Sequence, residues 1–187
     1  MKCVFVDRDG TLIRHRPYLA DPANVELLPT VADGLTEFVS AGCKLFLHSN
    51  QSGIGRGYFS QSDALACNEE MLRQIGLGPQ LFAGVCMCPE TPDQAVIYRK
   101  PSPKYALEII AKYGITRHDI CYLGDNSSDM LTARNLGCLG VALSTGVHDL
   151  RQMLQQSGFG DGFPVFDNFM DAAKHVLSHF RHQNAAR

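Results

Sequence analysis

A chain of 187 residues, 45% hydrophobic and 19% charged, has the size and balance of a folded protein that buries a core without disulfides. Its formal charge of −2 offers no basic footprint for nucleic acid or an anionic membrane, and no apolar run reaches the length of a membrane span. The seven cysteines are odd in number and several sit in apolar runs, which fits buried thiols in a reduced, cytoplasmic protein better than a disulfide scaffold.

The chain enters a strand at once, over residues 3–6, where a signal peptide would carry a charged and then an apolar segment. That strand stops at Asp7-Arg8-Asp9-Gly10-Thr11, two carboxylates one residue apart followed by a glycine that permits a sharp turn. Acids so close together call for a cation, a shared proton or a water-exposed turn. His15-Arg16-Pro17-Tyr18 follows in a polar loop, and reads equally as plain surface or as a basic, aromatic contact for a substrate. Thr30 or Asp33 starts a helix through Leu35, Phe38 and Val39, closed by Gly42. A second strand over residues 43–47 leads into His48-Ser49-Asn50-Gln51-Ser52-Gly53. Gly55-Arg56-Gly57 predicts a flexible loop, and Ser60 or Ser62 caps a helix running to Ile75.

Residues 81–87 form a third strand, followed by the proline-punctuated loop Cys88-Pro89-Glu90-Thr91-Pro92. Tyr98-Arg99-Lys100-Pro101-Ser102-Pro103 opens a helix that ends near Gly114, with Pro103 suited to its first turn. Residues 120–123 are a fourth strand closing in Gly124-Asp125-Asn126-Ser127-Ser128-Asp129, and the helix after it ends at Gly137. A fifth strand over 138–143, a helix over 149–156, a short strand over 164–166 and a terminal helix over 168–180 with a frayed tail complete the order. Strands alternating with helices, without repeat or linker, specify an α/β fold: one domain over 1–187, a Rossmann-like parallel sheet with helices on both faces.

Ligands of such sheets sit beyond the carboxyl ends of the strands. Three strand ends carry chemistry there: Asp7 and Asp9, Ser49 and Asn50, and Asp125 with Asp129. Arg99 and Lys100 join them from a loop. Carboxylates are the hard ligands Mg²⁺ prefers, while a hydroxyl and two cations suit phosphate oxygens. Taken singly, Arg99 and Lys100 read as solvated surface charges and Asp129 as a helix N-cap; together they make the inventory of phosphoryl transfer.

Asp7-x-Asp9-Gly10-Thr11, Ser49-Asn50, Arg99-Lys100-Pro101 and Gly124-Asp125-x-x-x-Asp129 resemble the four ordered motifs of the haloacid dehalogenase superfamily of phosphatases. The longer strings Asp7-Arg8-Asp9-Gly10-Thr11 and Ser49-Asn50-Gln51-Ser52-Gly53-Ile54-Gly55-Arg56-Gly57 are similar to the branch of the heptose-bisphosphate 7-phosphatases and histidinol-phosphate phosphatases, which lack a large cap domain. The resemblance implies Asp7 as nucleophile, Asp9 as general acid and base, and Mg²⁺ held by Asp7, the Asp9 carbonyl and Asp125. It implies Ser49 and Lys100 at the transferring phosphoryl group, Asn50 among the substrate-binding residues, Arg99 at the rest of the substrate, and Asp129 behind the metal or Lys100. That branch often carries zinc in a loop with a Cys-x-His and a Cys-x-Cys pair. Here Cys88 remains, but Glu90, Val96 and Tyr98 stand at the other positions, so zinc is not expected there and Pro89, Pro92 and packing are left to hold the loop.

The expected activity is Mg²⁺-dependent hydrolysis of a small phosphosugar, heptose 1,7-bisphosphate first, within lipopolysaccharide precursor synthesis. Histidinol phosphate or another small phosphoester comes next. A polynucleotide 3′-phosphate follows, disfavoured by the charge and by the lack of an aromatic-basic platform. A phosphosugar-binding scaffold is the non-enzyme alternative. No nucleic-acid or membrane partner is expected, and the oligomeric state stays open.

Overall fold

Short apolar runs form β1 (Cys3–Val6), β2 (Lys44–Asn50), β3 (Phe82–Cys88), β4 (Ile120–Gly124), β5 (Leu139–Leu143) and β6 (Val165–Phe166). The computed structural model describes residues 1–147, 150–156 and 162–185. All neighbouring strands pair in parallel, in the order β3-β2-β1-β4-β5-β6. Between them run α1 (Val31–Ser40), α2 (Ser52–Gly55), α3 (Gln61–Ile75), α4 (Lys104–Tyr113), α5 (Ser127–Leu136) and α6 (Leu150–Gln156), and α7 (Phe169–Ala185) follows β6.

Alternation along each strand sends side chains to two cores. Val4, Val6, Leu45, Leu47, Cys121, Leu123, Val141 and Leu143 meet α1, α3 and α7 on one face. Cys3, Phe5, Phe46, Ile120 and Tyr122 meet α4 and α5 on the other, where Phe5 stacks between Phe46 at 5.0 Å and Tyr122 at 4.8 Å. Both faces are covered by helices, as the sequence predicts.

Local chemistry sets the helix ends. Ser60 and Asp63 make a reciprocal capping box at the start of α3. At the end of α1, Gly42 takes φ 73° while its N–H and that of Cys43 reach back to Val39 and Phe38.

Several boundaries differ from the sequence reading. Strand β2 continues through His48, Ser49 and Asn50, because β3 pairs with it to Cys88. The predicted flexible loop begins as the helical turn α2, packed where Gly53 meets Phe59 and Gly55 meets the Pro89 carbonyl. Thr30 precedes α1 with φ 64°, and its hydroxyl accepts from the Met170 N–H instead of capping. Pro103 stands just ahead of α4. The terminal helix runs to Ala185, five residues further than its apolar periodicity, because Lys2 donates to Gln183 at 3.0 Å and sits over the Phe180 ring. Asp149, the predicted start of α6, lies outside the described residues.

Candidate active site

The chain builds β2 and β3 on one side of β1 and then crosses to place β4 on the other. The carboxyl ends of β1, β2 and β4 therefore open on one crevice, the usual place for a ligand in such a sheet. Asp7 N–H still bonds the Leu123 carbonyl at 3.0 Å, so its side chain emerges from the end of the ladder with a fixed direction. Asp125 follows β4 and Asp129 sits in the first turn of α5. One carboxylate oxygen from each of Asp7, Asp125 and Asp129 lies within 4.8 Å of the others.

Lys100 enters this cluster from the loop before α4. Its ammonium, almost fully buried, lies 2.7 Å from Asp7 Oδ1 and also donates to Asp129. Asn50 clamps that loop at the backbone: the Lys100 N–H donates to Asn50 Oδ1 at 2.9 Å and Asn50 Nδ2 donates to the Lys100 carbonyl at 3.2 Å. Asp129 does two jobs, since its second oxygen accepts from the Asn126 N–H in the capping box of α5. Asp129 is thus the lysine partner, whereas the N-cap of α5 is Asn126, with Asp129 as the third helical residue completing its box.

Burial works against the charged Lys100 ammonium, but the Asp129 and Asp7 carboxylates outweigh it and keep its pKa above the ordinary lysine value. Burial lifts Asp129 to about 6, with Lys100 pulling down and Asp7 pushing up. Asp125 is pushed well above the usual carboxylate range, first by burial and then by the charges of Asp7 and Asp129. The Thr11 hydroxyl donates to Asp125 Oδ1 at 2.9 Å. Two glycines close over the same carboxylate. A Cβ on Gly10, whose φ is +86°, would stand 2.3 Å from Asp125 Oδ2, and one on Gly146 would stand 2.1 Å from it. Thr145 ties the two segments by donating to the Gly10 carbonyl at 2.6 Å.

Asp9 turns to different partners. Buried Arg8 donates to both of its oxygens, at 3.0 and 3.1 Å, and is itself fixed by Asn68 at 3.0 Å. Gln51 Nε2 bridges Asp9 Oδ2 and Ser49 Oγ, each at 2.8 Å. A cleft of about 240 Å³ is lined by Asp7, Asp9, Ser49, Arg99, Lys100 and Asp125. A groove of about 310 Å³, walled by Arg16, Tyr18, Gln51 and Phe59, shares Asp9, His15 and Asn50 with that cleft, so the two are continuous. His15 Nδ1 is buried without a partner among the described residues.

All eight predicted site residues line or border this crevice. Sequence reasoning gave no role to Thr11, Arg8, Gln51 or Gly146. Thr11, Arg8 and Gln51 stand inside the motif strings; Gly146 carries no local signal, since only the crossover brings it to Asp125. The acidic oxygens make a donor set suited to a hard cation such as Mg²⁺. The zinc loop does not fit its metal: Val96 has no ligand atom, and Glu90 instead accepts from the Tyr98 N–H at 2.9 Å while its carbonyl accepts from Arg99 at 3.1 Å. Those hydrogen bonds help close the loop.

An open parallel sheet with this carboxylate and lysine cluster at its switch point defines a hydrolase of the phosphoryl-transfer kind. Residues 97–172 match the HAD-hydrolase-like family. The chain belongs to the haloacid dehalogenase-like phosphatases. It is 33% identical over 139 residues to a probable D-glycero-D-manno-heptose-1,7-bisphosphate 7-phosphatase of Thermoplasma acidophilum, covering 73% of this chain and 86% of that one. The crystal structure of the D,D-heptose 1,7-bisphosphate phosphatase of Bordetella bronchiseptica with magnesium and phosphate superposes with a TM-score of 0.84 at 27% identity, over 95% of this chain and 99% of that one. The histidine biosynthesis bifunctional protein HisB of Legionella pneumophila is 30% identical over 73% of this chain and 39% of its own length. No helix among the described residues is long and apolar enough to cross a membrane.

Proposed function

We propose that this chain is a Mg²⁺-dependent phosphomonoesterase that removes the 7-phosphate of D-glycero-D-manno-heptose 1,7-bisphosphate. The observation that carries the reading is the convergence of Asp7, Asp125 and Asp129 with Lys100 at 2.7 Å from Asp7. The likeness to the Bordetella enzyme over nearly the whole chain supports the substrate class.

Asp7, Asp125 and the Asp9 carbonyl would hold Mg²⁺, which when bound draws a dianionic phosphate toward a carboxylate and screens their repulsion. Asp7 attacks phosphorus as an ionised carboxylate, which needs no base at neutral pH. The bond from phosphorus to the sugar oxygen breaks, and Asp9 gives the departing alkoxide its proton. Asp9 then takes a proton from water as that water attacks phosphorus; the bond to Asp7 breaks, phosphate leaves and both aspartates are restored. Lys100 and the Ser49 hydroxyl bind the transferring oxygens. Asn50 acts on them through the Lys100 backbone it clamps, and Asp129 fixes the Lys100 ammonium. Arg99 and the groove with His15, Arg16 and Tyr18 receive the rest of the substrate.

Histidinol phosphate is the second reading, favoured by the likeness to HisB. Both anomers of heptose 1,7-bisphosphate, histidinol phosphate, hexose phosphates and a 3′-phosphorylated oligonucleotide are the test panel. The proposal expects Mg²⁺-dependent phosphate release with a preference for one heptose bisphosphate anomer, and background release from Asp7→Asn. A preference for histidinol phosphate or the oligonucleotide replaces the substrate; release that persists in Asp7→Asn overturns the mechanism. Binding of the bisphosphate without turnover by the unaltered chain leaves only a scaffold.

A further inference from the structure

Away from the carboxylates, the face of the sheet under α4 carries a second compact set of metal-ligating side chains. His48 and Cys86 are direct neighbours across β2 and β3, and Cys88 lies two residues beyond Cys86 on the same face. A ring nitrogen of His48 and both sulfurs lie within 4.8 Å of one another. The sulfurs are 3.6 Å apart. This is far beyond a disulfide bond of about 2.05 Å. It matches the edge of about 3.8 Å that two Zn–S bonds of about 2.3 Å subtend at a tetrahedral centre.

The histidine is prepared as a ligand. Its Nε2 faces the Tyr98 carbonyl at 2.9 Å, and a carbonyl only accepts, so the hydrogen is on Nε2 and the lone pair is on Nδ1. That lone pair accepts from the Tyr122 hydroxyl at 3.1 Å, and a cation bound at Nδ1 displaces this donor. A backbone carbonyl on the far nitrogen is the usual support of a metal-bound histidine. Independently, two buried oxygens around the set have no partner among the described residues: Tyr105 Oη, whose ring packs edge-on to His48 at 5.3 Å, and Glu90 Oε2, on the loop leaving Cys88. Orphaned buried oxygens call for an ion or a water.

We propose that His48, Cys86 and Cys88 bind one thiophilic divalent cation of the Zn²⁺ class, with a fourth position left for water or a neighbouring oxygen. This set shares Cys88 with the incomplete loop but takes its other two ligands, Cys86 and His48, from β3 and β2. Binding releases the two thiol protons to solvent. Through the His48–Tyr98 hydrogen bond it braces the segment leading to Arg99 and Lys100, so its role is structural.

Co²⁺ serves as the probe, added to the metal-free full chain under a thiol-free reductant. The expected result is thiolate-to-cobalt charge-transfer absorption that saturates at one equivalent, yields to Zn²⁺ and is indifferent to Mg²⁺. Cys86→Ser and Cys88→Ser should each abolish that stoichiometric band, whereas Cys43→Ser/Cys138→Ser keeps it. In the unaltered chain, Zn²⁺ should slow alkylation of half-buried Cys86 at least ~10-fold, a readout that needs no variant to fold. Absence of the band, its survival in Cys86→Ser, or alkylation indifferent to Zn²⁺ overturns the proposal.

Discussion

Lys100 Nζ stands 2.7 Å from Asp7 Oδ1 across 93 residues of sequence, and the same ammonium also donates to Asp129. One buried cation therefore orients the proposed nucleophile and neutralises a carboxylate behind it. Replacing Lys100 by Met leaves Asp7, Asp125 and Asp129 together without a cation of their own. Losing one partner of a buried pair costs about 3–5 kcal/mol. We expect that loss in urea unfolding without Mg²⁺, partial recovery with it, and phosphate release down by at least ~100-fold.

The same crowding predicts how pH and Mg²⁺ interact. Asp129 rises from 3.8 to about 6 and Asp125 moves well above its ordinary value, mainly through burial. A raised carboxylate favours the folded state while protonated. Its contribution is complete below pH 3.8 and is lost as pH rises through about 6 for Asp129 and higher for Asp125. A bound divalent cation relieves the repulsion that appears there. The rise in Tm on adding Mg²⁺ should therefore be small near pH ~5 and larger near pH ~8. An increment independent of pH contradicts this reading.

Gly146 lets a distant loop close on Asp125. Gly146→Ala puts a methyl 2.1 Å from Asp125 Oδ2, so the carboxylate must move. The overpacking should cost about 1–3 kcal/mol. The Mg²⁺ concentration for half-maximal activity should rise about 10-fold, which corresponds to ~1.4 kcal/mol of lost metal binding. Titrating activity with Mg²⁺ checks it.

Arg8 and Gln51 hold Asp9 in place, so they are positioning residues for the proton donor. Gln51→Ala removes one bridge between Asp9 and Ser49 without deleting a buried charge. We expect kcat to fall ~10-fold, a fraction of the 10²–10⁴ that general acid–base catalysis contributes, with KM nearly unchanged. A KM effect alone would place Gln51 at the substrate instead.

His15 borders both the cleft and the groove and has a buried nitrogen without a partner among the described residues. His15→Ala should raise KM for heptose bisphosphate ~10-fold and leave a small phosphoester such as p-nitrophenyl phosphate unaffected. Equal loss on both substrates would make His15 part of the scaffold.

The sequence by itself determined the alternation of strands and helices, and it put Asp7, Ser49 and Asp125 at or beside strand ends, because apolar runs that stop at polar residues announce themselves locally. It also offered Ser60 or Ser62 as the cap of α3, and the structure chose Ser60, which pairs with Asp63 three residues on. The exit of β2 was less legible, since His48, Ser49 and Asn50 look like a loop until β3 pairs with them. Only the tertiary structure decided that β1 lies between β2 and β4, and hence that Lys100 meets Asp7. It alone brought Gly146 to Asp125 and His48 to Cys86 and Cys88. Strand order, burial and cross-strand register are properties of the assembled sheet. They depend on the joint packing of both hydrophobic cores, which short stretches of sequence do not specify.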